Sequence, residues 1–327
     1  MQKDQVSTIF ELLDTASIRL KKDQSISYIE ALAEAGEAFF QANDRDGLLK
    51  DVIEKADFAS YDHEQIRKAF QLAVLKGQKD ISHPNRQMTP DTIGLFVSYL
   101  VNKFLEGQKE LVVFDPAAGT GNLLLAVLNN LTAETKRGFA SEIDDVLIKI
   151  AWAQANLEEK EVELFHQDSL EPLLISPVDV TVCSLPVGYY PNDERAADYE
   201  LKAKEGHAFA HYLFIEQSLR YTKEGGFLFF IIPNDLFEGK ESVQLKDFIK
   251  DQAYMNALIQ LPVSMFKDKK HAKSLFVMQK KKEGLEAPKR MLFANLPSFS
   301  QKESMVGVMR KLDQWFIEEK ETKEKPE

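Results

Sequence analysis

Apolar residues recur along this chain in two rhythms, and the change between them comes near residue 110. Up to about residue 80 they return at three- and four-residue steps with few glycines, the spacing of amphipathic helices. Ile9, Leu12, Leu13, Ile18 and Leu20 form one set. Ile29, Leu32, Ala33, Phe39 and Phe40 form a second, with Gly36 on the same face, and Ala69, Phe70, Leu72, Ala73 and Leu75 a third. The pattern predicts an all-helical N-terminal unit suited to interaction or orientation, without recognisable chemistry; His63 reads as a core or surface residue. Residues 82–87 make a polar break, after which Thr89-Pro90-Asp91 opens a helix, with Thr89 as N-cap and Pro90 as its first residue.

From residue 111 short β-rich runs alternate with helical ones. Strands are predicted at 111–115, 137–143, 162–168, 178–185 and 226–233, and helices at 122–131, 145–157, 208–221 and 241–253. Such alternation predicts an α/β fold with a parallel sheet covered on both faces. Two further strands, 254–261 and 274–279, are joined by a lysine-rich loop instead of a helix, which makes the last strand antiparallel. The expectation is a seven-stranded, mostly parallel Rossmann-like sheet with a helical N-terminal domain. A short extra strand at 291–295, a helix around 305–316 and a fraying charged tail from 318 follow. The domains would be 1–84 (helical), 85–300 (α/β) and 301–327 (helix and tail).

Composition narrows the function classes. The net charge of -11 over 327 residues argues against a generally basic surface coating nucleic acid, although a local basic groove remains open. The single cysteine, Cys183, rules out an intrachain disulfide and a multi-cysteine zinc site, and no metal is expected. The polar start and the lack of an apolar run near twenty residues predict a soluble, cytoplasmic protein with no membrane partner.

The chemistry is concentrated after the first β-rich run. Phe114-Asp115-Pro116-Ala117-Ala118-Gly119-Thr120-Gly121-Asn122 carries a strand through an acid and two close glycines into an apolar helix. Glycines let backbone approach a ligand, and a helix start offers unpaired N–H groups, an arrangement suited to a nucleotide-like cofactor. An acid at the end of the second strand, Glu142, can accept from both ribose hydroxyls, with Ile143 lying against adenine. Asp168, with Ser169 beside it, ends the third strand where it could accept from the adenine amine, and Asp115 could meet a cationic amine of the cofactor tail. At the fourth strand end, Ser184-Leu185-Pro186-Val187-Gly188-Tyr189-Tyr190-Pro191 makes a proline-centred turn that fixes backbone carbonyls.

On Thr89-Pro90, Asp115-Pro116-Ala117-Ala118-Gly119-Thr120-Gly121, Glu142, Asp168, residues 184–188 and Gly225-Gly226 with Ile232-Pro233-Asn234, the chain resembles class I S-adenosylmethionine-dependent methyltransferases. The resemblance is to the adenine-N6 DNA branch related to type I restriction-modification methylase subunits, and it covers about residues 85–282. It implies S-adenosylmethionine as cofactor, bound by Thr89, Asp115, Pro116, Ala117, Gly119, Thr120, Gly121, Asn122, Glu142, Ile143, Asp168 and Ser169. The helical N-terminal segment resembles the orienting domain of those subunits.

Members of that branch usually carry Asn-Pro-Pro followed by Phe or Tyr, where the Asn oxygen and the next carbonyl accept from the target amine and the ring stacks on the extruded base. Here Ser184 stands for Asn, Leu185 for the first Pro and Val187 for the aromatic residue. Ser184, Leu185 and Pro186 are the catalytic candidates, with Tyr189 as the stacking ring. The alternatives are a degenerate protein that binds the cofactor without turnover, or a methyltransferase acting on RNA or a protein amide. The lysines within 267–282 could contact phosphates of a nucleic acid, DNA before RNA, and the helical domain could take a protein partner.

Overall fold

The computed structural model describes residues 4–78, 88–238, 241–266 and 271–323. The polar break at 82–87, Lys267, Asp268, Lys269, Lys270 and the last four residues of the tail therefore lie outside the described residues. The chain divides into two compact units, Met1–Ser169 and Leu170–Glu327. The fold is mixed α/β and its strand pairs are mostly parallel.

The first unit opens with helices α1 (Gln5–Gln24), α2 (Tyr28–Gln41), the single turn α3 (Lys50–Ile53) and α4 (His63–Gln78). A capping box starts α2: the Ser27 hydroxyl accepts from the Glu30 N–H, and the Glu30 carboxylate accepts from the Ser27 N–H. Ile9, Leu13, Leu20, Leu32, Ile66 and Phe70 are buried in a single helical core, but Ile18, Phe40, Leu72 and Leu75 are each 44–48% exposed. The apolar stripe predicted from periodicity is thus wider than the face the core covers.

Next come α5 (Asp91–Phe104), β1 (Glu110–Asp115), α6 (Asn122–Asn130), β2 (Thr135–Glu142), α7 (Asp145–Leu157) and β3 (Val162–His166). The N-cap of α5 is Pro90, not Thr89, and Asp91 is its first residue; Pro90 has an extended ψ of 145° and so stands just outside the helix. The three strands pair in parallel in the order β3-β2-β1. Helix α7 joins the helical core through Ile150, Ala153 and Leu157. At Gly36 the α2 backbone comes so near that a Cβ there would lie 2.6 Å from the Cβ of Ala153. The helical segment and the sheet helices therefore share one core.

A buried polar cluster lies beneath them. Glu158, just after α7, is fully buried, and burial pushes its carboxyl up to about 8. Asn129 donates to both Glu158 (2.8 Å) and Glu64 (3.0 Å). The folded protein thus holds a proton that the unfolded chain, with an ordinary value of 4.5, releases. This contribution to stability is whole below pH 4.5 and is lost as the pH rises to about 8. Glu64 acts in the opposite sense: burial raises it, but its bonds to Arg67 outweigh that and hold it below the ordinary value. Glu158→Gln is expected to flatten the fall in melting temperature between about pH 5 and pH 8. Parallel melting profiles for wild type and variant across that range would refute the assignment.

The second unit contains β4 (Val178–Ser184), the single turn α8 (Asp193–Ala196), α9 (Ala210–Arg220), β5 (Thr222–Pro233), α10 (Ser242–Gln252), β6 (Ala253–Gln260), β7 (Lys273–Lys280), β8 (Leu292–Asn295) and α11 (Lys302–Lys323). Its strands run in the order β4-β5-β7-β6-β8. As the lysine-rich connection between the two strands predicts, β7 is antiparallel to both β5 and β6. The described strands number eight, not seven, because the short run at Leu292–Asn295 pairs in parallel with β6. Helix α11 is longer than expected and includes the start of the tail, to Lys323. Among the described residues, no helix is long and apolar enough to cross a membrane.

Candidate active site

Strand β1 delivers a buried carboxylate, Asp115, to the glycine turn, where its Oδ1 accepts the Ala117 N–H at 3.0 Å. The Ala118 N–H donates to the Ser141 carbonyl, and the Gly121 N–H to the Ala118 carbonyl at 2.8 Å, so the turn is anchored to β2 and closed on itself. Gly121 has φ +80°, and a Cβ there would come within 3.1 Å of the Ala151 Cβ, so the position requires glycine for conformation and for packing against α7. Gly119 also has a positive φ, +56°, but a Cβ there would meet nothing within 4 Å. That flank of the turn is open to a ligand.

Glu142 ends β2 beside this opening. Its Oε2 accepts the Gly119 N–H at 2.8 Å and its Oε1 accepts the Asp144 N–H at 3.0 Å, leaving each oxygen another lone pair. Ile143 follows and is 67% exposed, unusual for a large aliphatic side chain at a strand tip. The His166 ring lies 3.1 Å from the Ile143 carbonyl, and Asp168 lies half-buried in the turn after β3. Parallel register, Asp115 opposite Ala140 and Glu142 opposite His166, brings these tips to one edge. An open glycine flank, an acceptor carboxylate and an apolar platform fit the adenosine end of S-adenosylmethionine.

Other candidates make bonds within the protein. The Ser169 hydroxyl donates to the Pro116 carbonyl at 2.5 Å, the Thr120 hydroxyl lies 3.7 Å from the Met88 sulfur, and Asn122 donates to the Thr89 carbonyl at 2.8 Å. Pro116, Thr120, Asn122, Ser169 and Thr89 hold the shape of the turn and its surroundings.

The acceptor segment belongs to the second unit. Ser184 ends β4 half-buried opposite Ile231, and the buried Leu185 donates its N–H to the Ile231 carbonyl at 3.1 Å. Pro186 is half-buried and Val187 exposed; Gly188, with φ +136°, accepts from the Ala210 N–H at 2.9 Å. The Tyr190 N–H reaches the Ala208 carbonyl at 2.8 Å, fixing this segment against 208–210. Of the two tyrosines, Tyr190 is buried and Tyr189 is 66% exposed. The Tyr189 ring stacks on Phe209 with centroids 4.9 Å apart, and Phe209 stacks on His211 at 5.1 Å. Burial pushes the His211 imidazole down to about 4, leaving it neutral at pH 7.

Phe209 and His211 are absent from the sequence-based site because the run 208–221 reads as plain helix; the spacing of His207, Phe209 and His211 by twos was the available signal. Of the predicted lysine stripe, Lys267, Lys269 and Lys270 lie outside the described residues. Lys273 begins β7 and Lys280 ends it, so they stand roughly 24 Å apart at 3.4 Å per residue. The Lys280 ammonium donates to the Leu219 and Thr222 carbonyls, and that of Lys281 to the Lys250 carbonyl, so both tie down backbone.

Residues 86–324 match the N-6 DNA methylase family, and residues 7–78 match the YtxK N-terminal helical domain. The uncharacterized protein YtxK of Bacillus subtilis is 61% identical over 329 aligned positions, covering 98% of this chain and all of that one. A candidate class I S-adenosylmethionine-dependent methyltransferase from Listeria monocytogenes, known from its crystal structure, is 39% identical, with a TM-score of 0.90 over 95% of this chain and 99% of that one. A type I restriction-modification methyltransferase subunit from Streptococcus thermophilus shares the fold at 15% identity, with a TM-score of 0.62 over 84% of this chain and 66% of that one.

Proposed function

Because the chain belongs to the N-6 DNA methylase family of S-adenosylmethionine-dependent methyltransferases, we propose that it methylates the exocyclic amine of adenine in nucleic acid, DNA before RNA. The observation that carries the reading is the Glu142 carboxylate, bound to the Gly119 N–H beside an open glycine flank and an exposed Ile143. In this reading Glu142 accepts from the ribose, Ile143 lies on the adenine, Asp168 accepts from its amine, and Asp115 faces the amine of the cofactor tail. The bound cofactor supplies an electrophilic methyl group on a sulfonium.

The chain's own task at the acceptor is to make a weak nucleophile available. The adenine N6 lone pair is delocalised into the ring. Hydrogen bonds from the amine to the Ser184 oxygen and the Leu185 carbonyl would draw the nitrogen toward a tetrahedral, more nucleophilic form. Pro186 limits the motion of that carbonyl, and Tyr189, backed by Phe209, offers a ring for the base to stack on. Transfer then depends on positioning. A protein partner for the helical domain and a cytoplasmic location belong to the same proposal.

A second reading has specific support: Ser184 is shorter than the usual Asn and Val187 has no ring, so the protein could bind the cofactor and act through its helical domain without turnover. Calorimetry with S-adenosylhomocysteine, followed by incubation with methyl-labelled cofactor and DNA, RNA or cell extract, separates the two. Label recovered as N6-methyladenine is the expected result. Binding without any labelled macromolecule favours the second reading, label in protein alone shifts the acceptor to an amide, and absence of binding overturns both.

A further inference from the structure

A buried side chain of the helical domain reaches the candidate cofactor turn. Arg67, on α4, is fully buried, and its guanidinium holds three partners at once. It grips Glu64 with two bonds of 2.8 Å, donates to the Asn122 side-chain oxygen at 2.8 Å, and pairs with Asp91. Burial opposes its charge, but the two carboxylates outweigh that and raise its pKa. Asn122 is the first residue of α6, directly after Gly121, and Asp91 is the first residue of α5. Asn122 passes the connection on, donating to the Thr89 carbonyl. A single cation on one helix therefore fixes the starts of two others, which flank the glycine turn.

From this geometry we infer that Arg67 is a positioning residue for cofactor binding, acting through Asn122, Asp91 and Thr89 on the end of the turn that leads into α6. The inference rests on the cofactor reading above. Its chemical logic lies in the fork of the guanidinium: five N–H donors in a fixed plane serve a carboxylate, an amide oxygen and a second carboxylate together. A lysine ammonium, a point charge on a flexible stem, can keep the ion pair with Glu64 but cannot hold that plane. The arrangement also gives the helical domain a role in the site: displacement of α4 by a partner would move Asn122.

The test compares two ligands. Adenosine reports the ribose and adenine end, which the cofactor reading assigns to Glu142 and Ile143, whereas S-adenosylhomocysteine adds the amino-acid tail, which that reading assigns to Asp115. Both are titrated by calorimetry into wild type, Arg67→Met and Arg67→Lys, each well below its melting temperature. For either variant, affinity for S-adenosylhomocysteine is expected to fall about tenfold, the loss of one charge-assisted hydrogen bond, while adenosine affinity holds. Arg67→Lys, which keeps the buried charge, serves if Arg67→Met does not fold. Unchanged affinity for S-adenosylhomocysteine, or equal weakening of both ligands, overturns the positioning role. If wild type binds neither ligand, the cofactor reading itself fails, and this inference with it.

Discussion

Glu142→Ala is expected to weaken adenosine and S-adenosylhomocysteine alike, by roughly tenfold to a hundredfold in calorimetry. The range reflects two losses. The substitution removes the proposed ribose acceptor, and it also frees the Gly119 and Asp144 N–H groups that the two carboxylate oxygens hold at 2.8 and 3.0 Å. Gly119 sits in a left-handed conformation at φ +56°, and with that bond gone its turn becomes one of several accessible shapes. Glu142→Gln should recover little, since one end of its amide would present N–H to a backbone N–H. Because the proposal places Glu142 at the ribose end, the loss is expected to extend to adenosine, in contrast to the selective loss expected at Arg67. Unchanged adenosine affinity would break the ribose assignment.

The difference between these two residues shows which features can be read from sequence. Glu142 is legible because its place follows from local order: a strand, a glycine turn and a second strand put an acid at the next tip. The antiparallel β7 is legible for a similar reason, since the short lysine-rich sequence before it carries no helical pattern for a crossover. Arg67 is not. It lies 55 residues before its partner Asn122, in a helix whose apolar pattern is complete without it. Glu158 is equally hidden, because nothing in its neighbours distinguishes a buried carboxyl at the end of α7 from a solvated one. The eighth strand is missed as part of the sheet because its four residues are too few to reveal a partner. Tyr189, the stacking candidate, is the exposed member of the tyrosine pair and bridges to Phe209, a partner that lies twenty residues on and that its local sequence does not reveal.

Restoring the usual acceptor motif, with Ser184→Asn and Val187→Phe together, is expected to raise methyl transfer to adenine-containing DNA by about a hundredfold or more over wild type, the order of effect that one positioned hydrogen-bonding group has on a reaction barrier. Neither change falls in the core: Ser184 stands half-buried at the end of β4, and Val187 is 45% exposed. The fixed parts of the loop remain: the Leu185 N–H stays on the Ile231 carbonyl and the Gly188 carbonyl on the Ala210 N–H. Any gain would therefore come from the amide oxygen and the ring rather than from a rebuilt backbone. Measured as label in N6-methyladenine at saturating cofactor, a large gain would mean that the protein accepts adenine and that the natural residues limit turnover. A wild-type rate already high and indifferent to the change would mean that Ser184 and Tyr189 suffice. A variant that binds S-adenosylhomocysteine like wild type yet transfers no label to DNA would remove adenine from the proposal, because both acceptor oxygens and a stacking ring would then be present without effect.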